Sequence, residues 1–219
     1  MPRLLFEKTG NAIFISHLDL MRLFQRAFKR AGLPLTHSGG FTPRPQVSIA
    51  LPLSVGVASR CELLDFDLDG QMPAFDEIRD RLNRALVPGV KVLDVYHTGR
   101  KIRDLALLEC SIGLEYDRGV PAGAADGIQA LFAQNSLTLE KKGKNGTVEQ
   151  DIIPMIRRIS VTPTDAHTLT LTALICCQNP ALNPNQLCAA IERELPQYRP
   201  DFSRICRLEV FDNNETIFR

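Results

Sequence analysis

The sequence predicts an α+β protein made of two consecutive βαββαβ halves, each an antiparallel sheet with its helices on one face. Three observations carry this. Short apolar runs alternate with period two while longer ones follow helical spacing, in an order that recurs once along the chain. Gly- and Pro-bearing breaks separate the runs. The 219 residues are many for one compact domain and enough for two, each able to bury a core.

The elements follow in order. Arg3 to Lys8 reads as a strand. Ser16 to Ala31 reads as a helix, with Leu20, Phe24, Ala27, Phe28 and Ala31 on one face and a stop at Gly32 and Pro34. A Gly/Pro-rich loop runs from His37 to Pro45. Val47, Ile49 and Leu51 alternate as a second strand, with Leu64, Phe66 and Leu68 as its partner. A second helix carries Ile78, Leu82, Ala85 and Leu86 and stops at Pro88-Gly89. Val90 to Tyr96 closes the first half, residues 1–97. This order packs as a four-stranded antiparallel sheet under two helices, the ferredoxin-like arrangement.

After a polar link the order recurs over residues 104–219 with insertions. Leu105 to Tyr116 is a strand and Ala124 to Gln134 a helix. Leu137 to Lys142 and Thr147 to Gln150 flank Lys144-Asn145-Gly146, and its Asn-Gly pair signals an inserted hairpin. Asp151 to Ile156 is one turn. Ile159 to Val161 pairs with the alternating run Leu169 to Ile175. Asn183 and Pro184 open a last helix as N-cap and first residue, running to Leu195. Ile205 to Phe211 is the final strand.

Composition narrows the setting. No apolar run approaches the roughly 20 residues that span a bilayer, and the N-terminus leads straight into a strand without a signal-peptide core, so a cytoplasmic protein is expected. The six cysteines are scattered, mostly within apolar runs, and form no C-x-x-C pair. They read as packed thiols, without disulfide, zinc or cluster roles. No cofactor and no metal are assigned. Neither a P-loop nor a G-x-G-x-x-G pattern is present.

A net charge of +1 conceals an uneven distribution. Residues 1–60 carry eight basic side chains against Glu7 and Asp19, a net +6, whereas residues 61–100 carry five against eight acids, a net −3. In the first helix Arg22, Arg26 and Lys29 form a stripe, with Arg30 beside it. No acid after Asp19 interleaves to pair with them, and three of the four are arginines, the better phosphate clamp. A solvated helix surface and an anion or nucleic-acid contact are both open readings. The following loop strengthens the second. Gly39-Gly40 permits close approach of backbone, while Pro43 and Pro45 stiffen the segment that presents Arg44. Aromatic support for base stacking is thin, limited to Phe41 and His37.

Ser16, His17 and Asp19 begin the first helix. Ser16 suits the N-cap and Asp19 the positive helix end. His17 falls near the buried arc and reads either as a packed histidine or as a proton-transfer group. Asp65 and Asp67 share one strand face, either wetted, paired with the basic surface, or disposed toward a divalent metal. In the second half Lys141, Lys142, Lys144, Arg157, Arg158, Arg199, Arg204 and Arg207 are ordinary solvated charges that would also extend a polyanion track.

Several blocks carry a family resemblance: Ser16-His17-Leu18-Asp19-Leu20-Met21-Arg22, Phe24-x-Arg26-Ala27, Arg30-Ala31-Gly32-Leu33-Pro34, Ser38-x-Gly40-Phe41-x-Pro43, Ala50-Leu51-Pro52-Leu53-x-Val55-Gly56-Val57, and Glu62 with Asp65. Together they resemble the radical-SAM-associated family of uncharacterised bacterial proteins, a domain of unknown function found alone or fused C-terminal to radical SAM proteins. Pro43-Arg44-Pro45 stands where that family has P-H-P, and Arg44, which keeps its proton, clamps charge only. The chain lacks the C-x-x-x-C-x-x-C that holds a radical-SAM cluster, so the resemblance implies a partnership with such an enzyme. Taken with the basic residues and His17, that partnership leads to three expectations. The first is an accessory module binding tRNA or rRNA through Arg22, Arg26, Arg30 and Arg44, with Ser16, Asp19, Ser38, Gly40, Phe41, Glu62 and Asp65 supporting the site. The second is a metal-independent RNA-processing enzyme using His17. The third is a docking subunit for the radical SAM protein. Oligomeric state is not fixed by any of them.

Overall fold

A computed structural model describes residues 2–143 and 146–219. The fold is mixed α+β, with antiparallel strand pairing and four α-helices among the described residues. The chain divides into two compact units, residues 1–102 with Arg219, and residues 103–218.

The first unit contains β1 (Pro2–Lys8), α1 (His17–Arg30), β2 (Val47–Ile49), β3 (Ala58–Phe66), α2 (Phe75–Ala85) and β4 (Val90–His97). Its strands lie in the order β4-β1-β3-β2, each antiparallel to its neighbour. Alternation along the strands decides which side chains meet the helices. Leu4 and Phe6 of β1 and Leu64 and Phe66 of β3 join Leu20, Phe24, Ala27 and Phe28 of α1 and Ile78 and Leu82 of α2 in one core. Both helices therefore cover the same sheet face. Phe6 meets Phe24 edge-on at 4.7 Å between ring centroids, and Phe28 lies 5.1 Å from Phe66. The apolar arc expected of α1 is the arc it buries. Leu51 falls outside β2, and Leu68 bridges to Leu35 at the base of the loop.

Strand alternation also buries polar groups that composition alone counts as surface charge. Arg3 and Asp65 are opposite each other in the β1–β3 register. Arg3 Nε donates to Asp65 Oδ1 at 2.5 Å and a terminal nitrogen donates to Oδ2 at 3.1 Å and to the Arg100 carbonyl at 3.0 Å. With exposures of 1% and 7%, this is a buried bidentate pair. Lys8 is fully buried, and its ammonium donates to the carbonyls of Ile13 (3.0 Å) and Ile15 (2.8 Å), tying down the turn before α1.

The second unit contains β5 (Leu107–Glu115), α3 (Ala124–Phe132), β6 (Thr138–Gly143), β7 (Gly146–Asp151), β8 (Ile156–Pro163), β9 (Thr168–Cys176), α4 (Pro184–Glu194) and β10 (Phe202–Phe211). The strands β10-β5-β9-β8 form its antiparallel sheet, and β6 pairs with β7 alone. Lys144 and Asn145 of the expected turn lie outside the described residues. Asn183 caps α4 in a reciprocal capping box with Gln186, with Pro184 in the first turn. The six cysteines are free thiols. Burial pushes Cys110 and Cys177 up to about 12 and Cys188 up to about 11, which keeps these thiols protonated and unreactive at neutral pH. No helix among the described residues is long and apolar enough to cross a membrane.

Candidate functional site

A concavity of the first unit forms where α1 ends. Its C-terminal turn closes as a Schellman motif. The Gly32 amide donates to the Lys29 carbonyl (3.2 Å) and the Leu33 amide to the Phe28 carbonyl (2.9 Å), with Gly32 at φ +66°. This reversal turns Leu33 inward and sends Pro34–Leu35 back beside the helix. The segment is then stapled to the chain leaving β3: Asp69 donates to the Pro34 carbonyl (2.8 Å), Thr36 to Asp67 (3.0 Å) and Gln46 to Thr36 (2.7 Å).

Between helix and returning chain lies a cavity of about 550 Å³ lined by Gln25, Arg26 and Lys29 of α1 and by Gly32, Leu33, Pro34, Leu35, His37 and Pro45. Its floor is apolar and its rim cationic. Arg26 and Lys29 are exposed, and neither makes a salt bridge among the described residues. Arg26 acts on the Asp19 carboxylate through space only.

The cationic stripe is divided by its neighbours. Arg22 is engaged by Asp19 at 3.0 Å, so its charge is partly answered. Arg30 donates to the Ala85 carbonyl at 2.6 Å, the open C-terminal end of α2, and lines a separate cleft with Arg81 and Arg84. Arg26 and Lys29 alone of the stripe face the cavity beside the loop. Arg44 is exposed and adjoins the lining residue Pro45, but is not itself part of the lining.

The loop supports this geometry. Ser38 and Arg44 close it, with the Ser38 amide donating to the Arg44 carbonyl (2.8 Å) and the Arg44 amide donating to Ser38 Oγ (3.0 Å). Gly40 at φ +109° occupies backbone space closed to side-chain-bearing residues. Phe41 at the tip is entirely exposed.

At the other end of α1, Ser16 is the N-cap: its hydroxyl accepts from the Asp19 amide (3.2 Å) and donates to Asp19 Oδ2 (2.7 Å). That bond, and then the bond from Arg22, hold the Asp19 carboxyl below the usual carboxylate range. His17 is half-buried, and its Nδ1 is buried without a hydrogen-bond partner among the described residues. No third group therefore fixes its tautomer, which a general base ordinarily requires. Glu62 is buried, on the same sheet face as Leu64 and Phe66, and Asp65 is held by Arg3, so both lie within the fold and away from the cavity. The wetted Asp65–Asp67 face expected from alternation is therefore split, with only Asp67 partly exposed. Among the described residues no group of three or more His, Cys, Asp or Glu side chains is arranged to hold a metal ion.

In the second unit three of the basic residues named from the sequence meet acids, while Arg157 is exposed and makes no salt bridge among the described residues. Arg158 pairs with Glu215, Arg204 with Glu115, and Arg199 approaches Glu192 at 3.9 Å. Arg207 is buried. Gln25, Leu33, Pro34 and Leu35 were not apparent as site residues in the sequence. The Gly32–Pro34 stop marked the end of a helix, but only the reversed chain direction makes its flanks a cavity wall.

Residues 2–184 match the family described as "uncharacterized protein conserved in bacteria (DUF2344)", and the chain belongs to it. No curated protein matches the chain. The fold is similar to a chain of the structure described as "Crystal Structure of a Cbf5-Nop10-Gar1 Complex", at 9% identity and a TM-score of 0.57. That likeness covers 99% of this chain and 51% of the other, so this chain spans about half its length, and it concerns fold alone. An unknown protein from Galdieria sulphuraria aligns at 10% identity over 94% of this chain and 96% of that one, with a TM-score of 0.26 that carries no weight for the fold.

Proposed function

We propose that the chain is a cytoplasmic RNA-binding accessory module, holding a structured RNA such as tRNA or rRNA for a radical SAM enzyme. One observation carries the binding reading: Arg26 and Lys29, without ion-pair partners among the described residues, open onto the same cavity as His37 and Pro45 of the loop. Uncompensated cations on a preformed concave surface are what phosphate binding needs. Arg44 precedes the lining residue Pro45 and is exposed, Arg30 follows Lys29 but lines the neighbouring cleft, and Arg22 contributes less because Asp19 holds it. The strand orders β4-β1-β3-β2 and β10-β5-β9-β8 support reading both units as ferredoxin-like, the second with an inserted hairpin. The radical SAM partnership rests on the sequence resemblance alone.

Filter binding of total cellular RNA at increasing salt tests the proposal. Affinity at low salt that weakens steeply as salt rises is expected, and absence of binding at low salt would discard it.

A protein-docking role has its own support. Phe14, Leu18 and Val55 are exposed by 66%, 67% and 57%, and the Gly56 amide bonds the Ile13 carbonyl at 2.9 Å, which places Val55 near Phe14. An exposed apolar pair such as Phe14 and Val55 suits a partner surface. Under this reading Val55→Glu abolishes co-purification with the radical SAM protein and leaves RNA affinity unchanged. The enzymatic reading through His17 has the weakest support, because its Nδ1 has no orienting partner among the described residues.

A further inference from the structure

The cavity at the end of α1 has a feature that phosphate contact does not require. Leu33, Pro34, Leu35 and Pro45 give it an apolar floor beneath the cationic rim. The backbone of a continuous duplex presents charged phosphates and hydroxylated sugars, which gain nothing from apolar surface. A nucleotide swung out of its stack presents a flat apolar base face, a polar base edge and a phosphate on each side.

We propose that this cavity holds one unpaired nucleotide of the bound RNA. The base lies on the floor formed by Pro34, Leu35 and Pro45, its edge meets Gln25 and His37, and the flanking phosphates meet Arg26 and Lys29. The proposal rests on the RNA-binding reading above and adds to it the chemical identity of what the cavity takes. Its volume of about 550 Å³ lies within the usual range for small-ligand sites. The Gln25 amide and the His37 ring supply both donors and acceptors for a base edge. The floor is already fixed by the Schellman turn and by the bonds from Asp69 to Pro34 and from Thr36 to Asp67, so little ordering cost accompanies entry.

The same chemistry occurs in a free mononucleotide, and the experiment separates the two sources. Fluorescence anisotropy of the full chain is measured with a fully paired RNA hairpin, the same hairpin with a single-nucleotide bulge, and one with an abasic bulge, with AMP as a separate ligand. The bulged hairpin is expected to bind about 10-fold tighter than the paired one, and the abasic bulge to lose most of that gain. Pro34→Trp, which fills the cavity from an exposed position, should remove the preference for the bulged hairpin over the paired one. A Gln25→Ala/His37→Ala variant, which alters no buried apolar residue, should reduce the preference in the same direction. Equal binding of paired and bulged hairpins would overturn the proposal while leaving salt-dependent RNA binding intact. AMP binding without a bulge preference would assign the cavity to a free nucleotide, with the same consequence. Failure of every RNA to bind would remove the RNA-binding reading as well.

Discussion

Arg3 and Asp65 show how far the meaning of a charge depends on its strand face. In the sequence they count among a basic opening segment and an acidic one that follows, yet β1 and β3 place them opposite each other and bury both. A buried pair that loses one member leaves the other charged, desolvated and unanswered, which costs far more than the intact pair contributes. Asp65→Asn is therefore expected to destabilise the fold by about 3 kcal/mol, read as a lower urea midpoint. A loss below about 1 kcal/mol would show that the Arg100 carbonyl and other contacts suffice for Arg3. No such change is expected at Arg26 or Lys29, which are exposed and make no salt bridge among the described residues, so their replacement tests binding without confounding stability. Sequence reading separated these two kinds of cation only in part. The absence of interleaving acids along α1 was visible, whereas the cross-strand partner of Arg3 was not, because register cannot be read from one strand.

Within α1 the sequence was more legible. The cap, the buried arc and the stop at Gly32 all follow from local chemistry, and each has its counterpart in the structure. Ser16→Ala removes the hydroxyl that accepts from the Asp19 amide and should cost about 1 kcal/mol. The same change has an effect on titration. Because the Asp19 carboxyl is held below its ordinary value, the folded state favours its ionised form. The associated stability is present above the ordinary carboxylate pKa and is lost as pH falls through the lowered folded value. Since the Ser16 bond is the largest cause, Ser16→Ala should move the Asp19 pKa upward toward that of a free carboxylate, as followed by carboxyl-carbon NMR. An unchanged pKa would place the cause in Arg22 instead. The cavity beside α1 was less legible. Its cations and prolines were recognisable separately, but their common wall depends on the chain reversing at Gly32 and on backbone bonds to Asp67 and Asp69 far along the sequence.

For the molecule as a whole, a net charge of +1 gives no long-range attraction to a polyanion, so the proposed binding rests on a local surface. Arg158, Arg199 and Arg204 of the second unit have acidic neighbours, while Arg26 and Lys29 of the first have no salt-bridge partner among the described residues. The order of elements in both units was readable from periodicity because each run is short and bounded by turn residues. Which cations meet acids was only partly readable, since pairing between distant arginines and glutamates depends on the assembled sheet. The most direct test is the slope of log affinity against log salt for a tRNA-sized RNA, measured for the native chain and for Arg26→Glu/Lys29→Glu. The account predicts a steep negative slope for the native chain and a variant slope shallower by about 1.5, as two lost phosphate contacts require. An identical slope and affinity for both proteins would contradict it.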